Sequence, residues 1–399
     1  MNAQAWRLTF AAALLMGLVM GTRSSFGLFV SPLNTASGMG LSGLSLALAL
    51  GQLAIGFSQP VVGMLADRFG AARVIVMGAW LLMLTTAVPA LWPVPAAVAF
   101  SMVAAAVAGS AVGSNGLLVG EVGRAVPAAR MGLAVGMVGA GASLGQLVLG
   151  PATQALLEQA GWVHALFATA LISLVALPLA RPFKRPTQHR APRPMQPVGS
   201  VMRDPRFWRV SLSFGVCGFH IGFLAVHMPG VIERCGLPAS LAGTWIAVAG
   251  AANILGSVAI GLAMKRHDSA HLLVVLYLMR ALGVGALLLL PSTPMVLTGF
   301  AVLMGASHMA TLPPTTQLVA RQHGVERLGT LFGVVMLVHQ LGAFAGIWLG
   351  GWAADRTGSD TPLWLTDIAL ALLAALLVWP SRLPRQLPSL PSRALAVKA

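Results

Sequence analysis

The sequence contains few charged residues. Only 9% of its 399 residues are Asp, Glu, Lys or Arg, and ten are acidic, whereas a soluble protein carries about 25% charged residues. Hydrophobic residues make up 57% of the chain, and the mean hydropathy is +0.83. These values exclude a soluble globular protein and indicate a chain that lies mostly in lipid.

Cysteine is also scarce. The two that occur, Cys217 and Cys235, form no CxxC pair, and no His-rich cluster accompanies them. The sequence therefore predicts neither a disulfide framework nor a metal site. No nucleophile, base and orienting group recur at a common depth, so we expect no enzyme and no cofactor. The net charge of +15 does not indicate nucleic acid, because no basic face with interleaved aromatics is present.

Long apolar stretches occur twelve times. Each covers roughly 20 residues, enough to cross about 30 Å of hydrocarbon as a helix. The N-terminal stretch resembles a signal peptide briefly, but it continues to Leu33 without a convincing cleavage site, so we interpret it as the first span. The predicted spans are 8–32, 43–65, 74–92, 96–119, 131–155, 163–180, 208–231, 240–264, 271–290, 295–318, 328–351 and 363–380.

The chain divides into two halves. Residues 181–207 are rich in Pro and basic residues and lack apolar periodicity. They predict a cytoplasmic linker between an N-terminal six-helix bundle, residues 1–180, and a C-terminal bundle with a short basic tail, residues 208–399. An offset of 197 aligns Gly21 with Gly218 and Gly145 with Gly342. The predicted fold class is an all-α membrane protein with twelve transmembrane helices in two pseudosymmetric six-helix bundles.

The basic residues indicate the topology. With the N-terminus in the cytoplasm, all but four of the 25 Lys and Arg fall in cytoplasmic segments, as the positive-inside rule requires. Arg234 and Arg356 are outside, and Arg23 and Arg280 lie within spans. Both termini are therefore predicted to be cytoplasmic.

Two short segments share a pattern. GMLADRFGAAR at 63–73 and GWAADRTG at 351–358 have Gly, Ala-Asp-Arg and Gly at equal spacing. Nine spans separate them, and an odd number places them on opposite membrane faces. We therefore predict that they are not copies of one element.

The first segment resembles the loop signature between the second and third helices of the major facilitator superfamily. The resemblance implies that fold and a conformational-switch loop formed by Gly63, Asp67, Arg68, Gly70 and Arg73, which in the family holds the halves together in the outward-open state. The carboxylate of Asp67 can favour a nearby helix N-terminus, and the glycines permit close packing and a tight turn. The alternative is ordinary loop charges that set the topology.

Further stretches resemble the bacterial monocarboxylate-transporter-like branch of that superfamily. They are GTRSSFGLFVSPL (21–33), RMGLAVGMVGAGASLGQ (130–146), CGFHIGFLAVHMP (217–229), TLPPTT (311–316) and HQLGAFAGIWLGGWAADRTGS (339–359). The resemblance implies a bacterial inner-membrane protein that moves small carboxylates, often with a proton, by alternating access. The eighth span, WIAVAGAANILGSVAIG, lacks the arginine typical of such carboxylate transporters, so the substrate stays open.

Arg23 is the first candidate for substrate binding. An arginine near the bilayer centre costs roughly 2.5 to 3.5 kcal/mol on insertion scales, so it requires a partner or water. The 197 offset pairs Arg23 with His220, and His227 follows on the same face of that helix, so we expect these three side chains to surround an anion. Structural roles within the helix packing are the alternatives. Weaker candidates are His339, Gln340, Asn115 and Gln146, together with His308 and Ser143.

Two further ionisable residues are predicted to lie away from the cavity. Arg280 in the ninth span is interpreted as a structural anchor. Asp367 is the one acidic residue inside a span and belongs to the peripheral twelfth, which disfavours a buried carboxylate as the proton carrier. Any proton coupling is then expected to use His220, His227, His339 or the substrate itself.

The sequence predicts a secondary active transporter of a small organic anion, working as a monomer in membrane lipid by rocker-switch movement of the two bundles. Its partners are the substrate and, as an open alternative, a coupling proton; nucleic acid is not among them. An exporter of amphipathic or toxic compounds and a non-transporting membrane sensor are the competing functions.

Overall fold

A computed structural model describes residues 3–127, 130–184, 199–324 and 328–380. Ten segments of this described chain are apolar and long enough to cross a membrane, and a shorter apolar helix, Thr361–Leu377, follows them. The segment Met131–Leu179 holds two spans, because Gly161 takes φ 79° and kinks the helix there. The prediction of twelve helices is confirmed.

We number the helices along the chain. The N-terminal bundle contains α1 (Ala3–Ser37), α2 (Gly40–Phe69), α3 (Ala71–Leu91), α4 (Pro95–Ala125), α5 (131–160) and α6 (162–179). The C-terminal bundle contains α7 (Pro205–Arg234), α8 (Ser240–Ala263), α9 (Ser269–Leu289), α10 (Pro294–His323), α11 (Leu328–Thr357) and α12 (Thr361–Leu377). Within the predicted linker, residues 185–198 lie outside the described residues, as does the tail after residue 380. The domain boundaries stay a prediction.

Three helices are interrupted within their length. In α1, residues Phe26–Phe29 form a 3₁₀ segment; in α4, Ser114 is extended; and in α10, Met309–Thr311 form a second 3₁₀ segment. The 197 offset pairs Ser114 with Thr311. Interrupted helices are tolerated at membrane depth where neighbouring protein or a cavity supplies partners for the freed backbone groups, so these positions are the first place to look for a site.

Glycines set the closest helix contacts, and they do so in the same way in both bundles. A Cβ on Gly145 of α5 would collide with the backbone of Gly17 on α1, and a Cβ on Gly342 of α11 would collide with that of Gly215 on α7. Small residues allow helices in lipid to approach and gain van der Waals contact. The α1–α5 and α7–α11 pairs are therefore pseudosymmetric equivalents.

The lipid-facing surface is apolar. Large hydrophobic side chains such as Leu289, Met295 and Leu282 are 88%, 83% and 73% exposed. A soluble protein rarely leaves such a surface uncovered. In this chain it lies on helices with the length and hydropathy of membrane spans, and lipid is its natural partner.

The two bundles touch at one membrane side, which we call the Asp355 side. The backbone N–H of Ser42, at the start of α2, donates to Oδ2 of Asp355 on α11 at 2.6 Å. Nearby, a Cβ on Gly351 would meet Ser45 and the carbonyl of Leu41. The opposite side carries the 63–73 loop, and we call it the Asp67 side.

Three glycines near the Asp67 side have open space beside them. A Cβ added to Gly132 or Gly136 at the start of α5, or to Gly261 at the end of α8, would meet no atom within 4 Å. This conformation is closed at the Asp355 side and more open at the other.

The two Ala-Asp-Arg segments lie at opposite ends of α2. Asp67 is near the end of this 30-residue helix, and Asp355 binds its beginning. A helix of that length spans about 45 Å. The prediction that the segments lie on opposite membrane faces is confirmed.

The glycine contacts can be tested in α5 with one substitution at two positions. Gly145→Ala should lower the free energy of unfolding by roughly 1–3 kcal/mol, because the methyl group overpacks the α1 contact. Gly136→Ala, in open space on the same helix, should leave stability unchanged or raise it by up to about 1 kcal/mol. Melting temperatures of both variants in one detergent measure the difference; equal values would contradict the packing argument.

Candidate functional site

A cavity lies between the bundles, beside the interruptions of α1 and α10. It encloses about 540 Å³ of space free of protein atoms, part of it open to solvent. Its polar lining comes from Ser24 and Gln146 of the N-terminal bundle and from Trp245 and His308 of the C-terminal bundle. The remaining lining is Ile221, Leu224, Ala225, Pro229, Ile246, Ala249, Met304 and Gly305.

The polar groups of the lining include several hydrogen-bond donors. Nε2 of Gln146 donates to Oγ of Ser24 at 2.8 Å, and the buried indole N–H of Trp245 has no hydrogen-bond partner among the described residues. A buried donor without a partner requires an explanation. None of the described lining residues is acidic, so the cavity suits a ligand with acceptor oxygens.

Arg23 is connected to the C-terminal bundle by hydrogen bonds through two side-chain amides. Its Nη2 donates to Oε1 of Gln52 on α2 at 2.5 Å, and Nε2 of Gln52 donates to Oε1 of Gln340 on α11 at 3.0 Å. Nδ1 of His339 lies 3.4 Å from the same oxygen of Gln340. These bonds bring three predicted site residues, Arg23, His339 and Gln340, into one network that joins the bundles.

A second polar bridge joins the bundles through α8. Nδ2 of Asn253 donates to Oγ of Ser143 on α5 at 2.9 Å, while its Oδ1 accepts from the N–H of Met309 at 3.0 Å. Met309 begins the interruption of α10. One side chain thus holds both the contact between the bundles and the broken helix.

His308 connects these groups electrostatically. It lines the cavity, and the charges of Arg280, His339 and Arg23 act on it. Arg23 and His339 are not themselves among the lining residues, and none of the described lining residues is acidic.

The structure places His220 and His227 away from the cavity. His220 on α7 is fully buried, and its Nε2 donates to the backbone carbonyl of Asp367 on α12 at 3.1 Å. Nε2 of His227 donates to the carbonyl of Ile347 on α11 at 2.8 Å. The expectation that both surround an anion beside Arg23 is corrected, because the offset of 197 relates depth along the helices and does not fix which neighbour a side chain meets.

Two predicted lining residues remain, and the structure describes only one of their side chains. Gln146 lines the cavity as expected. Asn115 begins the second segment of α4, and its side chain lies outside the described part of the chain.

The 63–73 loop is organised within its own bundle. Oδ1 of Asp67 lies 3.6 Å from Nη1 of Arg124, which also pairs with Glu121. Gly70 has φ 88°, a value that favours glycine and makes the turn into α3. No side chain caps that helix by a hydrogen bond, and a favourable effect of the Asp67 charge on its N-terminus stays a prediction.

Other loop members have local contacts. The Arg68 guanidinium lies 5.2 Å from the ring centre of Phe69, and the N–H of Arg73 donates to the carbonyl of Gly70. A Cβ on Gly63 would meet no atom within 4 Å, so no close packing requires a glycine there in this conformation.

Arg280 stabilises the broken helix. Its Nη2 donates to the carbonyl of Ser307 at 2.6 Å, and its Nε donates to Oγ of the same residue at 3.1 Å. These groups lie where the first segment of α10 ends, and a cation there complements the helix dipole. A structural anchor would make such bonds, and the role of Arg280 stays a prediction.

Sequence reasoning missed three residues of the site: Gln52, Asn253 and Trp245. The two amides could have been found, because each is a polar side chain inside an apolar run, the criterion that selected Arg23. Trp245 could not have been found, because a tryptophan in a span predicts burial but does not predict whether its indole N–H has a hydrogen-bond partner.

Comparisons with known proteins agree with this architecture. The profile of the family described as Major Facilitator Superfamily matches residues 12–347. An uncharacterised MFS-type transporter of Bacillus subtilis strain 168, YcxA, is 24% identical over 84% of this chain and 85% of its own length. The oxalate:formate antiporter of Oxalobacter formigenes is 29% identical, over 52% of this chain and 51% of its own.

Solved structures have the same fold. The nucleoside transporter NupG superposes with a TM-score of 0.76 at 11% identity, covering 94% of this chain and 98% of that one. The inward-open xylose transporter XylE of E. coli superposes with a TM-score of 0.74 at 16% identity, covering 94% and 96%.

A family match along most of the chain, two bundles of six helices and a cavity between them lead to one conclusion: the chain belongs to the Major Facilitator Superfamily and is a membrane transporter.

Proposed function

We propose that the protein is a secondary transporter of a small organic anion, which binds in the central cavity beside Arg23. The observation that carries the proposal is the charge of the site. His308 and hydrogen-bond donors line the cavity, the charge of Arg23 acts on His308, the indole N–H of Trp245 has no partner among the described residues, and none of the described lining residues is acidic. The antiporter relative named for oxalate and formate, two small carboxylates, supports the same substrate class.

Arg23 is suited to carboxylate recognition. A guanidinium stays charged and can hold a carboxylate with two parallel hydrogen bonds. In the structure its Nη2 is bound to the neutral amide of Gln52, so an incoming carboxylate would replace a neutral acceptor with a charged one. Such an exchange favours the anion, because a carboxylate adds the attraction of opposite charges and can accept two parallel hydrogen bonds from the guanidinium.

The transport cycle we propose is rocker-switch alternating access with the two amide bridges as the central hinge contacts. With the N-terminus cytoplasmic, the Asp355 side is the outer side, and the conformation described here faces the cytoplasm. The protein would then lie in the bacterial inner membrane and act as a monomer, with the 63–73 loop at the cytoplasmic face as the conformational switch.

The substrate class is tested by a thermal-shift screen of the purified protein, starting with oxalate and formate and extending to larger carboxylates. Uptake into proteoliposomes follows for every compound that stabilises it. Stabilisation by carboxylates supports the proposal. Stabilisation by hydrophobic cations alone would contradict it and favour the exporter, for which the eight apolar and small lining residues are the favourable observation.

Arg23 provides the first test of the site. Arg23→Ala should weaken binding of the stabilising carboxylate by a few kcal/mol, the loss expected for one partner of a desolvated charge pair. Arg23→Lys should rescue it poorly, because an ammonium lacks the planar fork. Affinity and melting temperature are measured on the same samples.

Arg7→Ala is the matched control, since Arg7 is exposed on the same helix. Unchanged affinity in Arg23→Ala, with a lower melting temperature, would assign Arg23 to helix packing and overturn the proposed role.

Trp245 provides a second test. Trp245→Phe keeps an aromatic ring but removes the unpartnered N–H, and a hydrogen bond to a charged group contributes about 1.5–3 kcal/mol. Carboxylate affinity should therefore fall about tenfold or more. Trp208→Phe is the control, because the N–H of Trp208 already donates to Met202 near the start of α7. Equal affinities in the two variants would remove Trp245 from the recognition site.

The closure at the Asp355 side is tested with a cysteine at the buried Ser45, in a chain where the exposed Cys235 is replaced by Ser. Asp355→Ala removes the cap on α2, and such a cap contributes about 0.5–2 kcal/mol. Ser45→Cys should then react faster with an impermeant thiol reagent applied outside cells.

Asp360→Ala serves as the control, because Asp360 pairs with Arg234 inside the C-terminal bundle. Equal rates in the two backgrounds would contradict the closure, and reaction only from the cytoplasm would reverse the proposed orientation.

A further inference from the structure

Two ionisable side chains, from α7 and α12, meet in the interior of the C-terminal bundle away from the cavity, and the charge of a third, on α9, acts on both. His220 of α7, Arg280 of α9 and Asp367 of α12 are each fully buried. Nε2 of His220 lies 3.1 Å from Oδ1 of Asp367. Neither carboxylate oxygen of Asp367 has a hydrogen bond among the described residues, and neither does Nη1 of Arg280.

A buried carboxylate without hydrogen bonds is costly in its charged form. Helix α12 was expected to be peripheral, and Asp367 was set aside for that reason. The structure corrects this, because α12 turns Asp367 inward against His220 of α7, where the charge of Arg280 also acts on it. In a membrane-spanning segment such a residue is a candidate functional site whose partners must be named.

We propose that Asp367 and His220 together form a proton-binding site, separate from the substrate cavity, with Arg280 as its fixed positive charge. Arg280 remains protonated in proteins. With Asp367 ionised and His220 neutral, the cluster carries no net charge. One proton, taken up by the Asp367 carboxylate or by the imidazole in contact with it, gives the cluster a net charge of +1, and the two groups titrate as a pair.

The other titratable groups around the cluster have partners of their own. Tyr277 of α9 lies beneath Arg280, and its hydroxyl donates to the carbonyl of Ser213 at 2.7 Å. Cys217 of α7 lies 3.3 Å from Oγ1 of Thr311 and also contacts His339 of α11. Asp367 is the member of the cluster with both polar side-chain atoms lacking a hydrogen bond among the described residues, which makes its carboxylate the natural proton acceptor.

The cluster is adjacent to the cavity wall. Arg280 binds the carbonyl of Ser307, and the next residue, His308, lines the cavity. Protonation of Asp367 would remove the counter-charge of Arg280 and leave the end of the first α10 segment as its main partner. A change in that balance acts on the interruption of α10, so proton binding and the shape of the cavity are energetically linked.

The fold does not require this cluster. The 197 offset places Arg23, Met83 and Ala170 at the positions of His220, Arg280 and Asp367 in the N-terminal bundle. That bundle forms the same helix pairs without an acid at this depth. The acid and the arginine of the cluster are therefore specific to the second half, as expected for a function carried by one bundle.

A coupling of the bound proton to transport rests on the proposed anion transport. The proton-binding site itself does not, and its test needs no substrate. Infrared difference spectra of the purified full chain are recorded between about pH 4 and pH 9, a range that covers the ordinary titration of Asp and His. The wild type should show the C=O band of a buried protonated carboxyl that titrates. Asp367→Asn should lose this band, and His220→Gln should shift its midpoint.

Asp268→Asn, an exposed acid before α9, should keep the wild-type band. A full band in Asp367→Asn, or no titrating band in the wild type, would overturn the site and leave Asp367 as a permanent counter-ion of Arg280.

A second measurement avoids substitution, in case Asp367→Asn does not fold. Dicyclohexylcarbodiimide is an apolar reagent that modifies protonated carboxyls in lipid. The wild-type chain should acquire the adduct on Asp367, detected by mass spectrometry, at a rate that falls as the pH rises. No adduct at any pH, or a rate independent of pH, would contradict the proposal. Neither outcome bears on whether the cavity binds an anion, so the two proposals fail independently.

Discussion

A helix that is interrupted inside a bilayer leaves backbone groups that no water can satisfy. At the interruption of α10, side chains of two other helices provide the missing hydrogen bonds. Arg280 binds the carbonyl that the break leaves at Ser307, and Asn253 accepts the N–H of Met309. Asn253 also donates to Ser143 of the other bundle. The break, the contact between the bundles and the buried arginine therefore form one connected unit.

This unit explains why the cavity lies where it does. His308 lies at the break and lines the cavity. Side chains of neighbouring helices hold the backbone around it in place. A movement of α5 against α8 would stretch the Asn253–Ser143 bond, and the same amide holds Met309. Closing and opening of the bundles is thereby linked to the geometry of the cavity wall through one side chain.

The sequence predicted the architecture well, because hydrocarbon imposes length and hydropathy on every span. The glycine offset of 197 was informative for a similar reason: Gly145 and Gly342 have equivalent backbone contacts in the two halves. Arg23 and Gln146 were found as polar residues in apolar runs. His220 was misplaced because its partner, Asp367, lies 147 residues further along the chain, and no local pattern relates the two.

The two bundles share a backbone plan but divide the charges unequally. The N-terminal bundle contributes Arg23, a permanent cation whose amide partner Gln52 is neutral, at the interface between the bundles. The C-terminal bundle keeps its buried acid away from that interface, beside His220 and Arg280. If the acid lined the cavity, it would repel an anionic substrate and compete for Arg23. Placing it one helix behind the cavity wall allows a carboxylate to exchange a proton without occupying the position that the substrate needs.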